Sequence, residues 1–220
     1  MHNRGYVINH KTVSKLMKEI GICCKVRMKK YRSYKGEQGK IAPNLLNRNF
    51  HSNKPLYKLV TDVTEFSLFG QKRYLSPVLD LFNGEIVCYT LYERPVLDMV
   101  IEMERELVRH KGIAEGAILH SDQGWQYQHK SYQQILADNG IRQSMSRKGN
   151  CLDNSVMENF FGLLKSELLY LRDFKAIEEF EKELHQYISY YNKVRIKSRL
   201  CGKSPIQYRK SYEKSSAYAS

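Results

Sequence analysis

Apolar residues along this chain change their period several times, and each change marks a new element. In residues 10–21, Val13, Leu16, Met17 and Ile20 recur at the three- and four-residue steps of one helical face, and Gly21 stops the run. Residues 41–55, IAPNLLNRNFHSNKP, lose that periodicity; rich in Asn and closed by Pro55, they read as a linker. The next stretch has β character. YKLVTDVTEF, KRYLSPVLDLF and EIVCYTLY are dense in β-branched and aromatic residues and are separated by Gly70 and by Asn83-Gly84, a strong hairpin signal. They predict three successive antiparallel strands. Helical spacing returns from Val96 to His110, with Val96, Val100, Met103 and Leu107 on one side. AILHS predicts a buried strand, residues 131–139 a short helix stopped by Gly140, and IRQSM a last strand. SRKGNCLDNS is a polar loop. Helices follow at about 153–170 and 176–192, the second carrying Ile177, Phe180, Leu184, Tyr187, Ile188 and Tyr191 on one face. The order β-β-β-α-β-α-β-α predicts an α/β fold, a mixed sheet of five strands with helices on its faces.

Three acids sit where these patterns make a carboxylate costly or conspicuous. Asp62 shares its strand face with Val60 and Phe66, so it lies on an otherwise apolar side, where a carboxylate is expensive unless paired or metal-bound. Asp122 falls just beyond the end of its strand, where open α/β sheets commonly bind ligands. Glu158 lies in the helix at 153–170. At roughly 100° per residue, Val156, Met157, Phe160, Leu163, Leu164 and Leu168 form one apolar arc, and Asn154, Glu158, Gly162 and Lys165 a separate polar one. An acid and a base therefore stack two turns apart on the face turned from the core, with Gly162 removing bulk between them. Three carboxylates without Cys or His ligands suit hard, octahedral Mg²⁺ or Mn²⁺, and two such ions can drive in-line phosphoryl displacement.

Charge strengthens that picture. The net charge is +13 over 220 residues, and two segments account for it. Residues 24–40 hold seven Lys/Arg and one Glu, and residues 193–214 hold eight Lys/Arg and one Glu. Both are interleaved with Tyr and flank the acid-bearing middle, the pattern of stripes that neutralise nucleic-acid phosphates. Lys29, Lys30, Arg195 and Arg199 are their candidate DNA contacts. The five cysteines form no CxxC pair and read as reduced thiols. No run reaches the ~20 apolar residues of a membrane span, and no apolar leader opens the chain, so a cytoplasmic, nucleoid-associated protein is expected. Residues 1–54 are expected to be a shortened helical DNA-binding segment with a basic linker, 55–192 a catalytic core, and 193–220 a basic tail.

With these residues in place, the chain resembles the catalytic frame of bacterial insertion-sequence-three transposases, close to the one-fifty subgroup, within the retroviral-integrase superfamily. The matching segments are LVTDVTEF, KRYLSPVLDLFNGEIV, LHSDQGWQY, SMSRKGNCLDNSVMENFFGLLKSEL and YYNKVRIKSRLCGKSPIQYR. The 35 residues between Asp122 and Glu158, with a lysine seven after the Glu, are specific to it. The resemblance implies a ribonuclease H-like fold and a metal-binding catalytic triad of Asp62, Asp122 and Glu158. It also implies that Lys165 contacts terminal DNA, and that cleavage and strand transfer proceed without a covalent protein–DNA intermediate. Ser121, Gln123, Gly124 and Asn154 flank the acids; Arg147 and Lys148, in the loop before the catalytic helix, are further candidates for DNA contact, as is Asn154. Implied partners are the element's terminal inverted repeats, target DNA, further copies of the chain, and an upstream-frame helix-turn-helix protein as fusion or partner. Two alternatives stay open at this point: another ribonuclease H-like nuclease, and a truncated copy that binds DNA without being catalytically competent alone.

Overall fold

The computed structural model describes residues 8–22 and 39–217. Cys23, Cys24 and most of the first basic segment, Lys29 and Lys30 among them, lie outside the described residues. The elements in chain order are α1 (His10–Glu19), β1 (Lys58–Thr61), β2 (Thr64–Leu68), β3 (Gln71–Asp80), β4 (Ile86–Tyr92), α2 (Leu97–Arg109), β5 (Ile118–Ser121), α3 (Lys130–Asp138), β6 (Arg142–Met145), α4 (Ser155–Leu164), α5 (Ile177–Lys193) and α6 (Pro205–Ala217). No helix among the described residues is long and apolar enough to cross a membrane.

The sheet has six strands where five were expected. YKLVTDVTEF divides into β1 and β2, both antiparallel to β3, and the register runs on unchanged from Leu59↔Asp80 to Thr61↔Val78 and from Thr64↔Leu75 to Leu68↔Gln71. One ladder therefore carries a gap at Asp62 and Val63. At that gap the Val63 amide donates to the Asp62 carboxylate at 2.7 Å. β4 pairs antiparallel with β3, while β1–β5 and β5–β6 are parallel. The result is the mixed, mostly antiparallel sheet that the strand order predicts.

Strand alternation divides the core into two layers. Val60, Phe66, Leu75 and Leu79 pack with Met157, Phe160 and Leu164 of α4 and Phe180 and Leu184 of α5. Leu59, Val78 and Leu119 pack on the other face with Met99, Met103 and Leu107 of α2 and Leu136 of α3. Each such fully buried side chain contributes about 1.5–3 kcal/mol of transfer free energy. Asp62 has the parity of Val60 and Phe66, so it points to the α4 side.

The segment after α5, expected as a basic tail, is ordered. A short bridge joins Lys197 to Lys203, and α6 docks by Tyr208 and Tyr212 against Phe82, with ring centroids 5.4 and 4.9 Å apart. Asn83 also donates to the carbonyl of Pro205 at 3.0 Å.

Candidate active site

Parallel pairing of β1 with β5 sets the first two acids together. Lys58 pairs with Ile118, Leu59 with Leu119 and Val60 with His120. Carrying that register two residues on, past both C-terminal ends, brings Asp62 beside Asp122. Their electrostatics agree with that placement. Burial pushes the Asp62 carboxyl well above the ordinary range, and the charges of Asp122 and Glu158 push it further, against the Val63 amide and the Lys165 ammonium. Burial also raises Asp122, against the amide of Gly124, and partial desolvation raises Glu158, which lies on the exposed face of α4. Lys165 closes α4, with its ammonium 5.5 Å from the centre of the Phe66 ring. There the helix widens into a π-helical turn over Lys165–Leu169, with the Tyr170 amide bonding the Lys165 carbonyl at 2.9 Å; such widened turns recur at functional sites.

Local backbone geometry fixes Asp122. Its Oδ1 accepts from the Gly124 amide at 2.8 Å, and a Cβ on Gly124 would lie 3.0 Å from the same oxygen. Ser121 Oγ donates to the Asp122 carbonyl at 2.9 Å, and Gln123 Nε2 donates to the carbonyl of Ser146 at 2.9 Å, tying the strand end to the loop that leads into α4. Gly162 has nothing within 4 Å of where its Cβ would stand.

Several site-building residues escaped the pattern reading. His120 is buried on the same face as Asp122; its Nδ1 meets Ser144 Oγ at 2.7 Å and its Nε2 meets the Asp153 carbonyl at 3.0 Å. A carbonyl only accepts, so Nε2 carries the proton and Nδ1 accepts from Ser144. Burial lowers the imidazole pKa and keeps it in this neutral form. Asp153, whose side chain is buried, accepts from Arg147 Nε and Nη2 at 2.8 Å each, from Arg48 Nε at 2.9 Å and from Asn44 at 3.1 Å. Those donors hold its carboxyl far below the usual range, Arg147 foremost. Positive φ angles at Asn47 (44°) and Arg48 (62°) turn the linker tightly enough to bring Arg48 there. Tyr127 is buried within electrostatic reach of the aspartates, whose charges add to desolvation in raising its phenol.

Of the other expected contacts, Lys148 is exposed, and Arg147 is exposed but clamped to Asp153. Asn154 is buried, and its Oδ1 makes no hydrogen bond among the described residues. Arg195 is held through Nε and Nη2 by Glu167; Arg199 is exposed. Among the described residues, no three His, Cys, Asp or Glu side chains gather closely enough to enclose a metal ion between them. The donor chemistry nonetheless suits a hard cation: oxygen ligands only, with the charge of Asp122 and of Glu158 felt at a buried Asp62.

Comparison with known proteins gives the lineage. The integrase core domain family matches residues 52–151 and again residues 158–212. The chain is 52% identical over 209 residues to the putative transposase InsK for insertion sequence element IS150 of Escherichia coli, covering 95% of this chain and 74% of that protein. It is 52% identical over 204 residues to an uncharacterized transposase-like protein of Haemophilus influenzae, covering 92% and 93%. Its fold is similar to that of the HTLV-2 integrase catalytic core domain in complex with magnesium, with a TM-score of 0.55, 16% identity, and coverage of 70% of this chain and 97% of that one. The chain belongs to the insertion-sequence transposases of the IS3 and IS150 kind, built on an integrase core domain.

Proposed function

We propose that this transposase chain is itself a DNA strand transferase, cutting at the 3′ ends of an insertion element and joining those ends to new DNA through Asp62, Asp122 and Glu158. The observation that carries this reading is the β1–β5 register, which leads Asp62 and Asp122 to adjacent places, with Glu158 and Lys165 within electrostatic reach. Held by the three carboxylates, two Mg²⁺ ions, or Mn²⁺ in their place, would polarise the phosphate and activate the attacking oxygen.

The protein's own part is positioning and charge. The Asp122 loop is fixed by the Gly124 amide. The Lys165 ammonium stands near the acids and offers a counter-charge to a phosphate oxygen. Gly162 leaves room on the same helix face for a DNA backbone. Arg147, Lys148 and Asn154 beside that helix, and Lys29, Lys30 and Arg199 on the basic segments, are assigned to DNA contact, while Arg195, first expected there too, is engaged by Glu167. In the first step water attacks phosphorus and the P–O3′ bond breaks, leaving a 3′-hydroxyl on the element. In the second, that hydroxyl bonds to a target phosphorus and expels the target strand's own 3′-oxygen, which takes up the proton. No Ser or Tyr nucleophile takes part. Self-association, and recognition of the inverted repeats by an upstream-frame helix-turn-helix partner, belong to the same reading.

Nicking and joining of plasmid DNA in Mn²⁺ tests it, wild type against Glu158→Gln, with DNA binding followed in parallel. Both reactions should fall on the order of a hundredfold or more in the variant, with binding retained. Full activity in Glu158→Gln would overturn the assignment, and nicking without joining would replace it with a simple nuclease.

A further inference from the structure

The turn between β3 and β4 carries an arrangement that the chemistry at the carboxylates does not use. Lys197 Nζ donates to the Gly84 carbonyl at 3.1 Å and to the Tyr191 hydroxyl at 2.6 Å, and it lies 4.2 Å from the centre of the Tyr191 ring. Arg199 comes to the same place. A Cβ on Gly84 would stand 2.6 Å from Lys197 Nζ and 2.8 Å from Arg199 Nη2. Gly84 also has φ +74°, where side chains are strained. Two cations are thus gathered over one glycine backbone.

Nearby charges leave this pair uncompensated. Glu167 is taken by Arg195. Glu85, next to the glycine, is held by Arg209 at 3.0 Å and by Asn83 at 3.1 Å. Asp80 accepts from the amides of Leu56 and Phe82. Among the described residues, neither Lys197 nor Arg199 has a carboxylate within ion-pair distance. Burial, with Arg199 and Arg195 nearby, pushes the Lys197 ammonium down to about 7. Like charges held this close are relieved by an anion. Lys203, bridged through the backbone to Lys197, lines a further basic hollow with Lys210 and Lys214, which suits a polyanion rather than a small ion.

The place is distinct from the carboxylates. Asp80, where β3 ends, pairs with Leu59 near the start of β1, and Asp62 follows the far end of β1. At ~3.3 Å per strand residue, the two places lie roughly 10 Å or more apart along the sheet.

We infer that Lys197 and Arg199, gathered over Gly84, bind a backbone phosphate of duplex DNA at the end of the sheet opposite the carboxylates. The inference rests on the DNA-processing reading and adds a contact away from the reacting phosphate. Its test is binding of the full chain to a duplex oligonucleotide across a salt series, with Arg199→Gln, Arg199→Lys and wild type. One lost phosphate contact lowers the slope of log K against log salt by about 0.9. Arg199→Gln should show that loss at unchanged Tm, and Arg199→Lys should keep the wild-type slope. A parallel arm adds inorganic phosphate at constant ionic strength. A rise in Tm that Arg199→Gln abolishes, with no change in the DNA slope, would assign the site to the free ion and overturn the DNA contact. An unchanged slope in Arg199→Gln also overturns the contact and leaves the catalytic reading standing. Loss of plasmid joining in wild type, with the Arg199 slope change present, does the reverse.

Discussion

Single buried side chains show how much of this molecule rests on polar groups placed among apolar ones. His120 and Asp153 are the constructive case. The imidazole bridges Ser144 on β6 to the carbonyl of Asp153, and the Asp153 carboxylate gathers Arg147, Arg48 and Asn44, so the approach to α4 is tied both to the sheet and to the linker. Glu104 is the opposite case. It lies with Val100, Met103 and Leu107 on the inward face of α2, fully buried, and neither carboxylate oxygen has a hydrogen bond among the described residues. Desolvation pushes its pKa from 4.5 to about 9. The folded protein therefore holds a proton that the unfolded chain releases above about pH 4.5. The group's contribution is fully present below that pH and is lost as pH rises toward 9. Each pH unit in that window removes up to about 1.4 kcal/mol. Glu104→Gln should flatten the loss, so its Tm should match the wild type near pH 5 and exceed it clearly at pH 8. Equal pH dependence of the two melting curves would count against a buried neutral Glu104.

At the scale of elements, the helix bearing Glu158 and the first strand differ from the pattern that predicted them. Residues 153–170 read as one amphipathic helix, and its apolar arc is indeed the buried one: Met157, Phe160, Leu164 and Leu168 are all in the core. The segment is nevertheless three pieces, a 3-10 turn over Cys151–Asn154, α4, and a π-helical turn from Lys165. Hydrophobic period is nearly the same for all three, so the pattern could not divide them. The gap at Asp62 was equally illegible, because strand alternation continues through it without a change of register. Asp62 stood out because it broke an apolar strand face, Asp122 because it ended a strand, and Glu158 and Lys165 because they stacked two turns apart on the polar face of one helix. The Arg48–Asp153 contact joins residues 105 apart and leaves no periodic trace. α6 went unread because its few apolar residues follow no stripe and two tyrosines do the docking. Gly162 gives this scale its prediction. Open space surrounds its Cβ position, so Gly162→Ala should stabilise the helix by about 0.5–1 kcal/mol. If the DNA backbone passes over that face, the same methyl should weaken strand transfer while Tm rises. A variant with raised Tm and unaltered joining would move the DNA away from this part of α4.

For the whole molecule, charge counted along the sequence differs from charge available to a partner. Residues 193–214 hold eight Lys/Arg, but Arg195 is committed to Glu167, and Arg209 to Glu85 and Glu213. Those two cations fasten the post-α5 segment to the core, because Glu85 lies in the β3–β4 turn and Glu167 in the π-helical turn after α4. Lys203, just before α6, and Lys210 and Lys214 on it instead line a hollow of about 380 Å³ with Gln207 and Ser211. This division separates salt-sensitive binding from stability. Exchanging the three lysines for Gln together should lower the slope of log K against log salt by about 2–3, at nearly unchanged Tm. Arg195→Gln should do the reverse: it leaves Glu167 without its bidentate partner, costs about 1–3 kcal/mol, and leaves the slope close to that of the wild type. Titration of duplex binding at several salt concentrations, with a melting curve for each variant, distinguishes the two roles. If Arg195→Gln changes the slope as much as one of the α6 lysines does, the Glu167 pair opens when DNA binds. The segment would then fasten to the core and to DNA by turns rather than at once.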